Sequence, residues 1–284
     1  MRRFALAALG LLTLLTPLAA RADDLVLDDT PISYESPQQF ALEIKFGLYS
    51  PNIDSTTGLK GTPFSDLFVS QYGTNVHQRP PGQLLTSLEF DWQFWHAFGS
   101  LGVAASVGIQ RRNSHAFQYA GIAGDVSCTV PNCSRSSDTT TLSVMPISLE
   151  LVYRFDVLAL RWHIPLVPYI KAGIGYFLWW IENGSGAVSQ MVDLKTKAVT
   201  NTGTCGFGGD CGIGGSFGIV LHPGVALLLD ALDPSAARTM DNELGINHTY
   251  LFFELNYAWV NGFNSSTKLN LSDTAWNTGL AFEF

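Results

Sequence analysis

Apolar and polar side chains alternate with a period of two over the last ten residues of the chain, AWNTGLAFEF. Leu280, Phe282 and Phe284 fall on one face, whereas Asn277 and Glu283 fall on the other. Because successive side chains of a β-strand point to opposite sides, this stretch predicts a strand with one apolar and one polar face. The apolar face of such a strand covers a protein core or contacts lipid.

Earlier stretches of the chain repeat this alternation, and together with the terminal one they predict eight strands. Eight alternating strands indicate an all-β fold, either a sandwich of two sheets or a closed antiparallel barrel. The earlier stretches are residues 40–49, 86–94, 101–110, 144–155, 169–178, 213–221 and 248–259.

The N-terminus has the pattern of a secretory signal peptide. Arg2 and Arg3 precede an apolar run over residues 4–18, and small residues at Ala20 and Ala22 form a cleavage site. A membrane anchor is the alternative, but threonine and proline interrupt the run. The predicted organisation is a cleaved signal peptide at residues 1–22, a flexible periplasmic tail at 23–39 and an outer-membrane β-barrel at 40–284.

The composition argues against two other classes of protein. The formal net charge of −8 disfavours nucleic acid as a partner, because nucleic-acid binding depends on neutralising phosphates with cations. After the signal peptide the sequence has no apolar run long enough for a transmembrane helix. Only 14% of the residues are charged, although 46% are hydrophobic. Since soluble domains carry about 25% charged residues, the surface of this chain is poor in charge for a soluble protein.

The lengths of the connections favour a membrane barrel over a sandwich. Long segments follow strands one, three, five and seven, and shorter ones follow strands two and four, as in barrels with long external loops and short periplasmic turns. The segment after strand six is too long for this rhythm. Within it, Asp233 and Pro234 are suited to begin a helix and Gly245 to end one, which predicts a short periplasmic helical insert. Residues 225–229 would add a ninth strand, and a ten-stranded barrel is the even-numbered alternative.

If the strands run alternately up and down, aromatic residues collect at both ends of the barrel, as expected at the two interfaces of a membrane. One ring lies at the periplasmic ends of the strands, and the other lies at the outer ends. The periplasmic ring contains Trp92, Phe94, Trp95, Tyr153, Phe155, Phe282 and Phe284, and the outer ring contains Trp179, Trp180, Tyr257, Trp259 and Trp276.

Charged residues fall on the face opposite the apolar one. A sandwich would expose them to solvent, whereas a barrel would collect them in its lumen, where they can form ion pairs. Because eight strands enclose a space that side chains nearly fill, we expect a salt-bridged plug rather than an open pore. The predicted lumen network consists of Glu43, Lys45, Glu89, Asp91, Glu150, Arg154, Lys171 and Glu254.

Four cysteines form two close pairs, Cys128 with Cys133 and Cys205 with Cys211. An exported chain meets an oxidising compartment, so the proximity of each pair predicts two local disulfides in external loops. Zinc is the alternative, but neither pair has the spacing of a zinc site and no histidine lies near either. We expect no metal and no cofactor.

The chain resembles small eight-stranded outer-membrane barrels of the OmpA-domain and OmpW-like kind, and most closely the outer-membrane β-barrel proteins of myxobacteria and their relatives. The resemblance rests on VYRFD at 152–156, PLVPYIKAGIGY at 165–176, LDPSAARTMDNELGINHTYLFFE at 232–254 and the terminal TAWNTGLAFEF. It implies no enzymatic activity. It also implies that the aromatic C-terminus, Phe282 and Phe284, is part of the signal read by the barrel-assembly machinery.

These observations predict a porin-like outer-membrane protein of structural or surface-interaction type, with lipid, lipopolysaccharide and the assembly machinery as partners and a monomeric state. A narrow channel for small or apolar solutes, lined by Lys171 and Glu89, is the alternative. An outer-membrane lipid-modifying enzyme is a third hypothesis, but no spacing in the sequence brings serine, histidine and carboxylate together.

Overall fold

The computed structural model describes residues 39–59, 61–68, 79–119, 133–190 and 211–284, and they form a closed barrel of eight strands. Each strand is antiparallel to its neighbours, and β1 pairs with β8 to close the barrel. The predicted fold class is therefore confirmed. The strands are β1 (Phe40–Tyr49), β2 (Gln83–His96), β3 (Ser100–Tyr119), β4 (Cys133–Arg154), β5 (Leu166–Glu182), β6 (Ile213–Leu228), β7 (His248–Trp259) and β8 (Asp273–Glu283).

The period-two pattern of the sequence becomes an inside and an outside of the barrel. On β1, the side chains of Glu43 and Lys45 are buried, whereas Phe46 and Leu48 are exposed. Every strand repeats this inversion of the usual soluble arrangement, with polar groups inside and large apolar groups outside. The exposed apolar side chains include Leu88 on β2, Ile109 on β3, Leu149 on β4, Ile174 on β5, Phe217 on β6, Phe253 on β7 and Leu280 on β8.

Residues 225–229 do not begin a ninth strand, because β6 runs on through Pro223 to Leu228. Pairing with β5 is continuous across the proline, from Lys171 opposite His222 to Tyr169 opposite Gly224. On the β7 side the pairing stops at Leu221 and resumes at Gly224. Proline has no N–H to donate to a neighbouring strand. Pro223 is therefore tolerated in β6 because it lies at the gap in the pairing with β7. The part of the chain that the structure describes contains eight strands, not nine or ten.

Strands β3 and β4 are much longer than the sequence pattern predicts. The alternation indicated strands over 101–110 and 144–155, with a loop between them, but β3 continues to Tyr119 and β4 begins at Cys133. The two extensions pair with each other, with a register shift between His115 and Phe117. The sequences of both extensions are mostly polar, so the apolar alternation that marks the barrel wall is missing from them.

Within the described residues, three helices lie in the connections between strands. They are α1 (Pro63–Phe68) after β1, α2 (Val157–Trp162) after β4 and α3 (Pro234–Leu244) after β6, with 3-10 turns at Ile53–Ser55 and Leu229–Ala231. The predicted helical insert is confirmed. The side chain of Asp233 caps its first turn, and Gly245 ends it with a positive φ of 68°. Among the helices of the described ranges, none has the length and apolar character needed to cross a membrane.

Aromatic rings meet near both ends of the wall. Phe40 lies 5.4 Å from Phe90 and 6.2 Å from Phe284, measured between ring centroids, close to the chain terminus. Towards the other end, Trp276 stacks on Phe253 at 5.9 Å. The signal peptide and all of the predicted tail except Gln39 lie outside the described residues, so their predicted boundaries stay predictions.

The barrel interior as a candidate functional site

The structure brings the eight charged side chains of the predicted lumen set into the interior of the barrel. Each of them is buried, and most of them take part in ion pairs that connect strands which are not neighbours in the sheet. Buried charges need partners, because an ion removed from water without one costs several kcal/mol. The set is Glu43, Lys45, Glu89, Asp91, Glu150, Arg154, Lys171 and Glu254.

Two lysines form the centre of this network. Lys171 Nζ lies 2.5 Å from Glu43 Oε2 and 2.6 Å from Glu89 Oε1. Lys45 Nζ lies 2.6 Å from Glu89 Oε2, 3.4 Å from Glu43 Oε2 and 3.3 Å from Glu254 Oε1. Glu89 therefore bridges the two ammonium groups with its two oxygens. The result is a connected cluster that spans the width of the barrel from β1 and β2 to β5 and β7.

Arg154 extends the network towards the end of the barrel where β1 begins and β8 ends. Its Nη2 lies 2.7 Å from Glu43 Oε1, and its Nη1 bonds the Asp91 carboxylate. Gly102 leaves room for this contact, since a Cβ at that position would lie 2.4 Å from Asp91 Oδ1 and 2.7 Å from the carbonyl oxygen of Trp92. A side chain at position 102 would have to displace the acid that faces Arg154.

A second polar group lies beside the lysine cluster. His222 Nδ1 lies 2.7 Å from Glu150 Oε2, and His222 Nε2 lies 3.0 Å from Asn256 Oδ1. The hydroxyl of Ser148 donates to the other oxygen of Glu150 at 2.5 Å. The sequence did not single out His222, because one histidine on a strand gives no signal of its partners.

A third polar group lies near the C-terminal residue. Glu283 accepts hydrogen bonds from Gln93 Nε2 at 2.8 Å and from the hydroxyl of Tyr250 at 3.0 Å. Burial, together with the nearby Glu283 carboxylate, raises the pKa of Asp156, which follows β4 at the same end. The alternation in the terminal strand already put Glu283 on the polar face, so the sequence contained the signal for this member of the interior.

The interior is closed by apolar side chains towards the end with the long connections. Ile53 from the 3-10 turn and Phe64 from α1 lie over the barrel mouth and pack against buried apolar side chains of the strands. Together these side chains form the upper apolar layer. Tyr49 is part of the layer, and its hydroxyl donates to the Leu271 carbonyl at 2.7 Å. Besides these residues, the upper layer contains Leu85, Leu142, Val144, Phe177, Val220, Ala258 and Val260.

Polar contacts hold this cap segment, residues 53–59 and 61–68, in place. The Asp54 carboxylate accepts hydrogen bonds from the backbone N–H groups of Phe64 and Ser65, each at 2.8 Å. Arg112 lies with its guanidinium 5.4 Å from the Phe64 ring, and its Nη2 donates to the Pro81 carbonyl at 2.7 Å. Arg135 Nη1 donates to the Leu67 carbonyl at 2.9 Å, at the end of α1. The cap is thus fixed to both strands of the β3–β4 hairpin.

A second apolar layer, the lower apolar layer, closes the interior at the end where β1 begins and β8 ends. Tyr169, Tyr250 and Phe252 form its aromatic part, and Ala159 of α2 packs against it from the connection after β4. The hydroxyl of Tyr169 donates to Glu254 Oε2 at 3.1 Å, which joins this layer to the lysine cluster. The remaining members are Val167, Ala226, Leu228 and Ala281.

Among the described side chains, the interior contains two small cavities. One of about 40 Å³ has Lys45, Glu254 and His222 in its wall together with serine and asparagine side chains. The other, of about 10 Å³, lies among Glu43, Arg154 and the lower aromatic layer. They share no lining residue. The larger one has room for a water molecule or two, and the smaller one is at the limit for one.

The contacts of Glu150 also bear on the enzyme hypothesis. In a hydrolytic triad the histidine lies between the serine and the acid, so that it can take the serine proton. Here the acid lies between Ser148 and His222, and all three side chains are buried. This order does not activate the serine hydroxyl. The described residues also contain no cluster of three or more histidine, cysteine or acidic side chains arranged to hold a metal ion.

The predicted disulfides cannot be followed through the described residues. Cys128 and Cys205 lie outside them, and Cys133 is described only in its backbone. Cys211 is buried at the start of the segment that leads into β6. The two pairings therefore stay predictions.

No family model matches the chain, so its resemblance to the myxobacterial barrel proteins has no support beyond the motifs themselves. A search of curated proteins also gives no match.

The solved structures that are similar to this chain include two from outer-membrane proteins. The N-terminal β-barrel domain of Pseudomonas aeruginosa OprF is 12% identical, with a TM-score of 0.34 over 87% of this chain and 100% of that one. The outer membrane protein OprG from Pseudomonas aeruginosa is 12% identical, with a TM-score of 0.37 over 88% of this chain and 97% of that one. The barrel topology is assigned from the strand pairing of this chain and not from these two structures.

Proposed function

We propose that this chain is an outer-membrane protein of structural or surface-interaction type, whose barrel spans the membrane and whose interior is a filled core. The apolar wall supports the membrane placement. On β4 and β5, Leu149 and Ile174 are 52% and 58% exposed, and comparable side chains continue around all eight strands. In water, this wall would be an exposed apolar patch far larger than the few hundred Å² usual for a soluble protein. In a bilayer, the acyl chains of the lipid would cover it.

The observation that carries the filled core is the enclosure of the charge network between two apolar layers. Eight strands enclose about the space that side chains fill, and here lysines, arginine and carboxylates occupy the middle of it. An aqueous path would have to part the ion pairs of Lys45 and Lys171 and also cross both apolar layers. Parting buried ion pairs without replacing them costs several kcal/mol.

The orientation follows from the connections. We assign the end with the long connections to the cell surface, and the end with both chain termini to the periplasm, as in bacterial barrels of one chain. The β3–β4 hairpin supports a role in surface contacts. Beyond its pairing with β2, strand β3 continues from Gln110 to Tyr119, a stretch roughly 30 Å long that pairs with β4.

A narrow channel is the second candidate function. One observation favours it: buried carboxylates outnumber buried lysine and arginine in the network, so a widened interior would attract cations. Lys171 and Glu89 would line such a path. Charge reversal at either residue would then change the conductance or the ion selectivity of the protein in a planar bilayer.

The membrane placement is tested by two measurements on the exported protein. We expect it to sediment with the outer-membrane fraction and to migrate differently on a gel before and after boiling, because folded barrels resist detergent. A matched sample unfolded in urea before loading supplies the reference position. An exported protein that stays in the soluble periplasmic fraction would overturn the proposal, whatever its interior looks like.

A further inference from the structure

Large apolar side chains are exposed on every connection at the end of the barrel where β1 begins and β8 ends. They lie outside the strand wall, and the strand alternation does not account for them. Their exposed fractions are 70% for Phe98, 61% for Trp162, 44% for Ile164, 73% for Leu232 and 68% for Leu244. We call these five residues the collar.

Local contacts hold the collar residues of the first two connections in fixed positions. The hydroxyl of Tyr153 donates to the Phe98 carbonyl at 2.5 Å, which ties the β2–β3 turn to β4. Helix α2 ends at His163, whose φ is 57°, and the N–H of Ile164 donates to the Leu158 carbonyl at 2.9 Å. On the same helix Ala159 faces the lower apolar layer inside the barrel. The helix thus lies across the rim, with Trp162 on its outer side.

Helix α3 carries the other two collar residues, one at each end. Leu232 precedes the capping residue Asp233, and Leu244 is the last residue of the helix. Between them, the exposed side chains are mostly polar, including Arg238, Asn242 and other small or charged residues. Apolar groups at both ends of a helix meet the same surface only when the helix lies along that surface.

The collar continues the apolar wall rather than forming a separate patch. Leu166, at the start of β5, is 43% exposed two residues after Ile164, and Phe284 is 39% exposed directly after β8. Arg161 lies beside Trp162, so a cation and an aromatic ring are neighbours at this level. Aromatic rings with a polar or charged group nearby are typical of the headgroup region of a membrane.

We propose that the collar lies in the headgroup region of the periplasmic phospholipid leaflet, with α2 and α3 resting along its surface as interfacial anchors. This inference rests on the proposed outer-membrane placement of the barrel. Amphipathic elements of this kind bury their apolar groups at the boundary between headgroups and acyl chains. The collar would thereby fix the depth of the barrel in the membrane and shield its periplasmic rim.

The test uses the full mature protein in phosphatidylcholine vesicles with bromine atoms on the lipid acyl chains, which quench nearby tryptophan. Leu232→Trp and Leu244→Trp report on the collar, and the loss of signal in Trp162→Phe isolates the native collar tryptophan. Leu149→Trp reports on the strand wall, and Asn242→Trp reports on the polar face of α3. Each variant is compared with the parent protein at equal amounts of folded barrel.

We expect bromine near the headgroups to quench the added emission of Leu232→Trp and Leu244→Trp strongly, and that of Asn242→Trp weakly. Bromine deep in the acyl chains should quench Leu149→Trp most. If Leu149→Trp is quenched while the two collar variants match Asn242→Trp, the collar inference is wrong and the barrel placement stands. If Leu149→Trp is also unquenched, the proposed membrane barrel itself fails.

Two other occupants of the collar give distinct results, and either would overturn the inference. A second copy of the chain would protect the tryptophan of Leu244→Trp from aqueous iodide, but bromolipid would not quench it. This protection would fall when the protein is diluted in the vesicles. A periplasmic protein would leave Leu244→Trp open to iodide in vesicles of the purified protein. Protection from iodide that does not depend on protein density, together with quenching by bromolipid, is the expected pattern.

Discussion

Lys171 Nζ on β5 lies 2.5 Å from Glu43 Oε2 on β1, so this ion pair joins strands on opposite sides of the barrel. The same ammonium group also lies 2.6 Å from Glu89 Oε1 on β2. One side chain therefore links three strands through the interior. The closed interior depends on these ion pairs across the barrel, because the hydrogen bonds of the sheet stabilise only the wall.

We expect Lys171→Met to destabilise the folded barrel by about 3–5 kcal/mol, because it leaves Glu43 and Glu89 buried without one of their cations. Urea unfolding in detergent, followed by tryptophan fluorescence, measures the change. Lys268→Met is the matched control, since Lys268 is exposed in the last connection. Equal stability of the two variants would contradict the structural role of the network.

Position 102 tests the close packing around Asp91. We expect Gly102→Ala to cost about 1–3 kcal/mol, because the added Cβ meets Asp91 Oδ1 and the backbone of Trp92. Gly184→Ala is the control, since the nearest atom to a Cβ there lies at an ordinary 3.4 Å. Urea unfolding measures this cost as well. A cost no greater than that of Gly184→Ala would show that the interior can accommodate a methyl group beside Asp91.

The capping residue of α3 gives a pH-dependent prediction outside the membrane. Hydrogen bonds from the Ser235 hydroxyl and from the backbone N–H of Ala236 lower the pKa of Asp233. The stabilisation from this carboxylate is present above its unfolded pKa and is lost as the pH falls through the lower, folded value. We expect hydrogen-exchange protection in the first turn of α3 to fall on acidification.

Asp233→Asn is the reference for that measurement, because asparagine also caps helices but does not titrate. Comparing the two proteins at each pH removes the intrinsic pH dependence of exchange. Protection that changes with pH in the same way in both proteins would assign the effect to another group.

The C-terminal residue is predicted to matter for assembly. The N–H of Phe284 donates to the Phe40 carbonyl, and the Phe40 N–H donates to the Phe284 carbonyl, each at 2.9 Å. We expect deletion of Phe284 to reduce the amount of heat-modifiable barrel in the outer membrane, through loss of the terminal aromatic group and of these bonds at the closing seam. Phe284→Tyr keeps both and should assemble normally. Unchanged assembly after deletion would remove Phe284 from the proposed assembly signal.

The sequence was sufficient for the strand number, because that number follows from period-two alternation along single strands. The same alternation put the eight charges of the predicted network on one face, but it gave no sign of Arg112 or Asp273, which are also buried. It could not supply the pairing of Lys171 with Glu43, since contacts across a barrel depend on closure and stagger rather than on local pattern. The continuation of β6 through Pro223 was missed for a related reason. A proline interrupts the pattern, and only the position of neighbouring strands shows which side lacks the hydrogen bond.

The cap also lay beyond prediction from the sequence. The cap contains two short helical turns, Ile53–Ser55 and Pro63–Phe68, and its function in the fold comes from Ile53 and Phe64 packing over the barrel mouth. The extended parts of β3 and β4 lack an apolar face, so alternation gives no signal there. Arg112 and Arg135, which hold the cap, consequently carried no mark in the sequence.

Single-channel recording in planar bilayers tests the closed interior most directly. We expect the purified wild-type barrel, inserted at a density confirmed by gel, to give no discrete conductance steps at neutral pH. Discrete steps from the wild-type protein, with ion selectivity that changes in Glu89→Lys, would contradict the filled core and establish the narrow channel instead.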